Sequence, residues 1–370
     1  MNTTNDQEVA QIVRQFSIPG IFVSKKKNGR GNVNDTIVVE LSNENSIKRY
    51  TLQRINHQVF KNPRSLMDNY SRVTRHIQSK GNQETLTLIP SKNGDLFHLD
   101  HNGNYWRMMP YIEGVHCFDV PPDTNYAYEA AKAFGRFQVA LSDLKGNPLI
   151  PTIQNFHNTS MYYGEYEKMR ELNLVNRLKE VGGMQEFILK RKSLCSIIPV
   201  DQLPVRIVHN DTKLNNVLLD EKTGKGVSVI DLDTVMPGCA LHDFGDLVRT
   251  TCNSANEEET DLTKVNFLTD YFESIVRGYL DATQEMLTIA EINSLSVAPL
   301  VITYELGIRF LTDFLKGDQY FKITHPTQNL ERAKVQFKLL ESMEKSREFM
   351  NEVISVEWKI RSDQKSSVST

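Results

Sequence analysis

Five polar residues at fixed spacing carry the first chemical information in this 370-residue chain: His209, Asp211, Lys213 and Asn216, followed by Asp231. Between Asn216 and Asp231 two short apolar runs, Val217–Leu219 and Val227–Ile230, flank the polar segment Asp220–Lys225 with its Gly224, the pattern of a hairpin. Closing that hairpin predicts Asn216 and Asp231 side by side at its open end, with Asp211 five residues before Asn216. An amide oxygen and two carboxylates grouped in this way suit Mg2+, a hard cation that takes oxygen ligands. Phosphoryl transfer needs metal ligands, a base beside the acceptor hydroxyl and a cation near the γ-phosphate, and Lys213 is placed to supply the last. The spacing His-x-Asp-x-Lys-x-x-Asn, then Ile-Asp after a hairpin, matches the catalytic loop and metal aspartate of kinase-fold enzymes. An Asx-rich surface turn would account for any two of these residues, but not for all five.

A second aspartate competes for the metal role. Asp243-Phe-Gly245 spells the metal motif of protein kinases, yet no strand leads into it. Asp231 is therefore the expected ligand. For Asp243 two readings stay open, a brace for the catalytic loop through hydrogen bonds and a plain helix cap.

These side chains need a scaffold, and the chain offers two kinds of text. Its first 110 or so residues alternate β-rich runs (37–41, 49–55, 86–89, 96–99, 106–109) with polar turns, around one segment of helical spacing (Leu66, Tyr70, Val73, Ile77). Beyond Pro110 helical periodicity dominates, from Tyr126 to Leu144 and again from Thr263 onward, around a β-rich island over 205–230. The Ser-rich tail 362–370 reads as frayed, and 145–202 yields no clear pattern. This predicts an α+β bilobal chain, with a small β-rich N-terminal lobe (1–112) and a large, mainly helical C-terminal lobe (113–370).

In the small lobe, Gly29 and Gly31, with Asn32 and Asn34, form a glycine-rich turn whose backbone N–H groups can approach phosphates, or else an ordinary hairpin turn. Pro110, Tyr111 and Ile112 lie where the lobes join. Their backbone is placed to read an adenine edge, a role compatible with that of a linker.

With 39% hydrophobic and 24% charged residues, wholesale disorder is excluded. A net charge of −3 argues against a dedicated nucleic-acid binder. The four cysteines form no CxxC pair, which removes a zinc or dithiol reading. The N-terminus lacks the apolar core of a secretion signal. The most apolar stretch, 297–308, is broken by Pro299 and Glu305 and is too short to span a bilayer. A cytoplasmic protein, off the membrane and monomeric or weakly dimeric, is expected.

Taken together, the blocks 29–34, 208–216, 230–238, 243–246 and 307–321 resemble the aminoglycoside phosphotransferase and choline kinase family, which shares the protein-kinase fold. Blocks 230–238 and 307–321 are similar to those of its N-acetylhexosamine kinases. The resemblance implies ATP and Mg2+ as cofactors, Asp211 as base, and Asn216 and Asp231 as metal ligands. It further implies transfer to the anomeric hydroxyl of an N-acetylhexosamine, in a pocket that includes Arg309, with Asp313 and Tyr320 from the same block, and Asp233. Arg309 and Asp313, four apart on a helix, equally suit a structural salt bridge. One departure stands out. Where kinases of this fold carry an ATP-binding lysine, this chain has Gln53, and the following helix offers Asp68 but no glutamate. Same-fold enzymes for aminoglycosides, choline or other sugars, and a pseudokinase, remain as rivals.

Overall fold

The computed structural model describes residues 5–27, 33–43, 46–81 and 84–368. A short helix, α1 (Asp6–Val13), precedes β1 (Ile21–Lys27), β2 (Asp35–Asn43) and β3 (Ser46–Ile55). Helix α2 (Pro63–Lys80), β4 (His98–Leu99) and β5 (Tyr105–Pro110) complete the small lobe. The strands form one antiparallel sheet in the order β1-β2-β3-β5-β4. Helix α2 starts where Asn62 caps the Ser65 N–H and Pro63 needs no donor, and it ends at Gly81, whose φ of 71° favours glycine. Its buried stripe of Leu66, Met67, Tyr70, Val73 and Ile77 is the helical spacing of the sequence.

The large lobe contains β6 (Val115–His116), α3 (Thr124–Leu141), α4 (Thr159–Leu172), α5 (Leu178–Val181), α6 (Met184–Lys190) and β7 (Arg206–Val208). After these come β8 (Val217–Asp220), β9 (Gly226–Val229), β10 (Met236–Gly238), α7 (Ala240–Thr251), α8 (Thr269–Thr283) and α9 (Ile289–Ser294). Helices α10 (Ala298–Lys316), α11 (Gln328–Lys345) and α12 (Arg347–Val368) close the chain. One large core joins α3, α7, α8, α10 and α11. Helices α3 and α8 meet closely at Gly278, where a Cβ would stand 2.1 Å from the Tyr128 carbonyl, so only glycine fits there.

The architecture is the expected α+β arrangement, with three local differences. Residues 86–89 pair with the sheet only through the bridge of Ile89 to Met108, because Pro90 follows and brings no donor to extend a ladder. Segment 145–202, unreadable in the sequence, folds into α4 to α6 and short 3-10 turns. The polar tail continues α12 as far as Val368. No helix among the described residues is long and apolar enough to cross a membrane.

Candidate active site

The loop between β7 and β8 is suspended from below by one carboxylate. Asp243, in the first turn of α7, accepts from the backbone N–H groups of His209 (2.9 Å) and Asn210 (2.7 Å), and from Gln138 Nε2 (2.7 Å). Thr212 Oγ1 donates to the Asp243 carbonyl at 2.6 Å. Of the two readings of Asp243, the geometry is that of a brace. His209 is fully buried edge-on to Phe134 and Phe137 of α3, and its Nε2 meets the Ile230 carbonyl at 2.9 Å. Asn210 takes the left-handed region (φ 66°), which asparagine tolerates, and turns the chain so that Asp211 faces a cavity.

Asp211 lies 2.8 Å from Lys213 Nζ, and both side chains keep about a third of their surface open. Burial pushes the Asp211 carboxyl up, but Lys213, with His209 and Arg249 further off, pulls it below the usual carboxylate range. Burial pulls Lys213 down, and Asp211 and Asp246 more than reverse that, so the ammonium stays charged. The result is an ionised carboxylate, an acceptor for a proton, standing beside a cation.

Val217 pairs with Val229, and the Ile230 N–H donates to the Asn216 carbonyl at 2.9 Å, so the hairpin's open end brings Asn216 beside the strand end that carries Asp231. Asn216 Nδ2 donates to the Asp211 carbonyl (2.8 Å) and to Asp211 Oδ2 (3.3 Å), which turns its Oδ1 outward as an acceptor. Asp231 is exposed to the cleft on its open side, with a left-handed backbone (φ 59°). Crowding by the protein on its other sides, with Asp233 and Asp211 nearby, pushes its carboxyl up to about 6. An all-oxygen pair at a water-accessible edge fits Mg2+, which keeps waters and substrate phosphates as its remaining ligands.

The cavity in front of Asp211 measures about 210 Å3. Across it from Asp211 stands Arg309 of α10. Its guanidinium lies over the rings of Phe156 (5.2 Å), Tyr162 (4.9 Å), Tyr320 (5.9 Å) and Phe321 (5.7 Å). Its nearest carboxylate is Glu305, at 3.9 Å, not Asp313. Asp313 is buried and spent on a turn, accepting from the N–H groups of Gln319, Tyr320 and Phe321 and from Asn329 Nδ2. Of the residues expected at the acceptor, Asp211, Arg309 and Tyr320 thus line one cavity, whereas Asp313 and Asp233 do not.

Three further wall residues were not singled out by the sequence: Glu305, Asp246, and His157, which lies in the unreadable segment 145–202. Glu305 is the charge that interrupts the apolar run of α10. His157 Nδ1 lies 3.0 Å from Glu305 Oε1 and its Nε2 lies 3.2 Å from the Asn210 carbonyl. Both neighbours are acceptors, an arrangement that favours a proton on each ring nitrogen. Burial alone would lower its pKa, and the Glu305 carboxylate raises it instead. Asp246 receives Arg249 on Oδ1 (2.8 and 2.9 Å), while its buried Oδ2 has no partner among the described residues.

On the small-lobe side, Gln53 donates to Thr36 Oγ1 (2.9 Å) and accepts from Arg107 Nε (2.8 Å). Arg107, missed in the sequence although it is a charge inside an apolar strand, pairs with Asp233. Asn34 is buried, donates to Asp233 and accepts from the Asn56 N–H. Gly29, Gly31 and Asn32 lie outside the described residues. Pro110, Tyr111 and Ile112 line a separate cleft of about 920 Å3 with Gln78, Arg136 and Val227, and no catalytic-loop residue reaches it.

Comparison with known proteins gives the chain a family and its fold relatives. Residues 26–279 match the family described as "Phosphotransferase enzyme family". An aminoglycoside phosphotransferase from Alicyclobacillus acidocaldarius superposes with a TM-score of 0.60 at 13% identity, covering 93% of this chain and 96% of the other. A choline kinase from Cryptosporidium parvum gives 0.55 at 17% identity, over 95% and 98% of the two chains. Amicoumacin kinase, solved in complex with AMP-PNP, Ca2+ and Ami, gives 0.57 at 12% identity, over 90% and 93%.

Proposed function

The chain belongs to the phosphotransferase enzyme family, and on that premise we propose that it moves the γ-phosphoryl group of ATP to the anomeric hydroxyl of an N-acetylhexosamine. The observation that carries the acceptor class is the make-up of the cavity in front of Asp211. Lys213, Arg249, Arg309, Lys322 and Arg332 line it together with Asp211, Asp246, Glu257 and Glu305. This is a mixed field without the acidic excess that would hold a cationic acceptor such as choline or an aminoglycoside, and it suits a neutral sugar better. Its volume of about 210 Å3 is below the roughly 300–1,000 Å3 of pockets that take drug-sized ligands, which suits one pyranose ring better than several. Aromatic faces around Arg309 offer stacking to a sugar ring and a donor to an amide carbonyl. The amicoumacin kinase, which binds a nucleotide analogue and a divalent ion, supports the cofactor reading.

In this reading Asp211 orients the hydroxyl and accepts its proton. An anomeric hydroxyl is more acidic than an ordinary alcohol, so a carboxylate held ionised by Lys213 suffices as base. Asn216 and Asp231 would hold Mg2+, which would supply positive charge to neutralise the phosphates. Lys213, bonded to Asp211 in this structure, is within reach of the charge that develops on the transferring group. Positioning and electrostatic stabilisation supply most of the acceleration.

An ATP-consumption screen against N-acetylhexosamines, other sugars, aminoglycosides and choline tests the reading. Turnover confined to N-acetylhexosamines, with a 1-phosphate as product, is the expected result. Turnover of choline or an aminoglycoside alone refutes the acceptor class, and no turnover with any acceptor favours the pseudokinase.

A further inference from the structure

A kinase small lobe normally brings one lysine to the nucleotide and steadies it with a glutamate of the neighbouring helix. Both are missing here. Gln53 occupies the strand position, and the single acid of α2, Asp68, is exposed. Yet a cation stands beside the empty place. Gln53 and Arg107 are direct partners in the antiparallel pairing of β3 and β5, so their side chains share one face of the sheet. Helix α2 contributes the ring of Tyr70, over which the Arg107 guanidinium lies at 4.8 Å.

The partner of that cation lies in the other lobe. Arg107 Nη1 and Nη2 donate to the two oxygens of Asp233, and Nε is taken by Gln53. The paired side chains are only 1% and 3% exposed. Asp233 also accepts from Asn34, whose own Oδ1 is fixed by the Asn56 N–H. Two separate small-lobe segments therefore converge on one carboxylate, two residues beyond Asp231. Leu232 to Thr234 form a single 3-10 turn, so whatever fixes Asp233 fixes the strand end from which Asp231 projects. With all three nitrogens engaged and almost no exposed surface, Arg107 does not itself reach the phosphates.

We propose that Arg107 and Asp233 form an interlobe clasp that sets the position of Asp231, making Arg107 a positioning residue for binding of the metal–nucleotide complex. The clasp rests on the nucleotide and metal part of the function above, and is independent of the acceptor.

The test measures Mn2+ affinity in the presence of ADP by electron paramagnetic resonance, and adenosine affinity without metal by calorimetry. Wild-type protein comes first, and failure to bind Mn2+–ADP there would sink the cofactor reading, not the clasp. Arg107→Met is expected to weaken Mn2+ binding about 10- to 100-fold, the range for losing a group that orients a metal ligand, and to leave adenosine affinity unchanged. Adding Gln53→Lys, which returns a cation to the same face one strand over, should recover most of the loss. Should Arg107→Met fail to fold, the pair Arg107→Met with Asp233→Asn leaves no buried charge unmatched and is expected to show the same Mn2+ defect. Unchanged Mn2+ affinity in a folded variant without the pair overturns the proposal. So does an equal loss of adenosine and Mn2+ affinity, which would mark a contact that only shapes the lobe.

Discussion

Hydrogen bonds to backbone atoms hold the catalytic loop 209–216: Asp243 takes two of its N–H groups, and the Asn216 and Ile230 carbonyls close the hairpin end. The wall facing it across the same cavity is held by side chains. His157 comes from the segment before α4, and Glu305 and Arg309 from α10, far apart in sequence. The aromatic faces come from that same first segment and α4 (Phe156, Tyr162) and from the turn after α10 (Tyr320, Phe321). Backbone tethers fix where a reacting atom sits and leave little freedom. Side-chain walls fix what can be bound and change with each substitution. The loop should therefore govern the chemical step, and the wall should govern recognition.

The largest test removes the base. Asp211→Asn should lower kcat by up to about 10^4-fold, at least about 10^2-fold, with acceptor KM nearly constant. Steady-state kinetics that show turnover within a few-fold of wild type would break the assignment. Next comes Lys213→Ala. Loss of one preorganised cation should cost about 3–4 kcal/mol in kcat and in kcat/KM together. A change confined to KM would move Lys213 from the loop's role to the wall's.

On the wall, Asp246 lines the cavity and its Oδ2 has no partner among the described residues, which leaves it a hydrogen-bond acceptor to be tested against the substrate's hydroxyl or amide groups. Asp246→Asn should raise acceptor KM by roughly tenfold, the scale of one charged hydrogen bond, and spare kcat. A fall in kcat with constant KM would erase the distinction between the two regions. The smallest effect is that of pH on the metal. Because the Asp231 carboxyl is raised to about 6, it is protonated below that pH, and a metal must displace the proton. Mg2+ affinity should rise with pH up to about 6 and level off above. The same raised pKa stabilises the metal-free fold below about pH 4, and that contribution is lost as pH rises through about 6. Calorimetric titrations across that window check both, and a flat profile would mean that solvent at the open side of Asp231 screens the crowding.

The same contrast explains what could be read from the chain. The loop and hairpin are contiguous, and a two-strand register follows from spacing alone, so Asp211, Asn216 and Asp231 were visible as a group. Arg107, Glu305 and Asp246 acquire meaning only from partners more than 100 residues away or from a cavity the sequence does not outline. Two of the three left a local trace, a charge within apolar text: Arg107 among Trp106, Met108 and Met109, and Glu305 in the run 297–308. Reading Arg309 with Asp313 by helical spacing failed because Glu305 is equally one turn away and Asp313 is occupied by the turn at 319–321.

That turn has a kinetic consequence. Three consecutive backbone N–H groups on the Asp313 carboxylate, with Asn329 behind it, mount Tyr320 and Phe321 in place before any acceptor arrives. A wall built in advance needs no closing step. Stopped-flow association of the acceptor should show a single phase whose rate is linear in concentration, and competing acceptors should differ in how long they stay, not in how fast they enter.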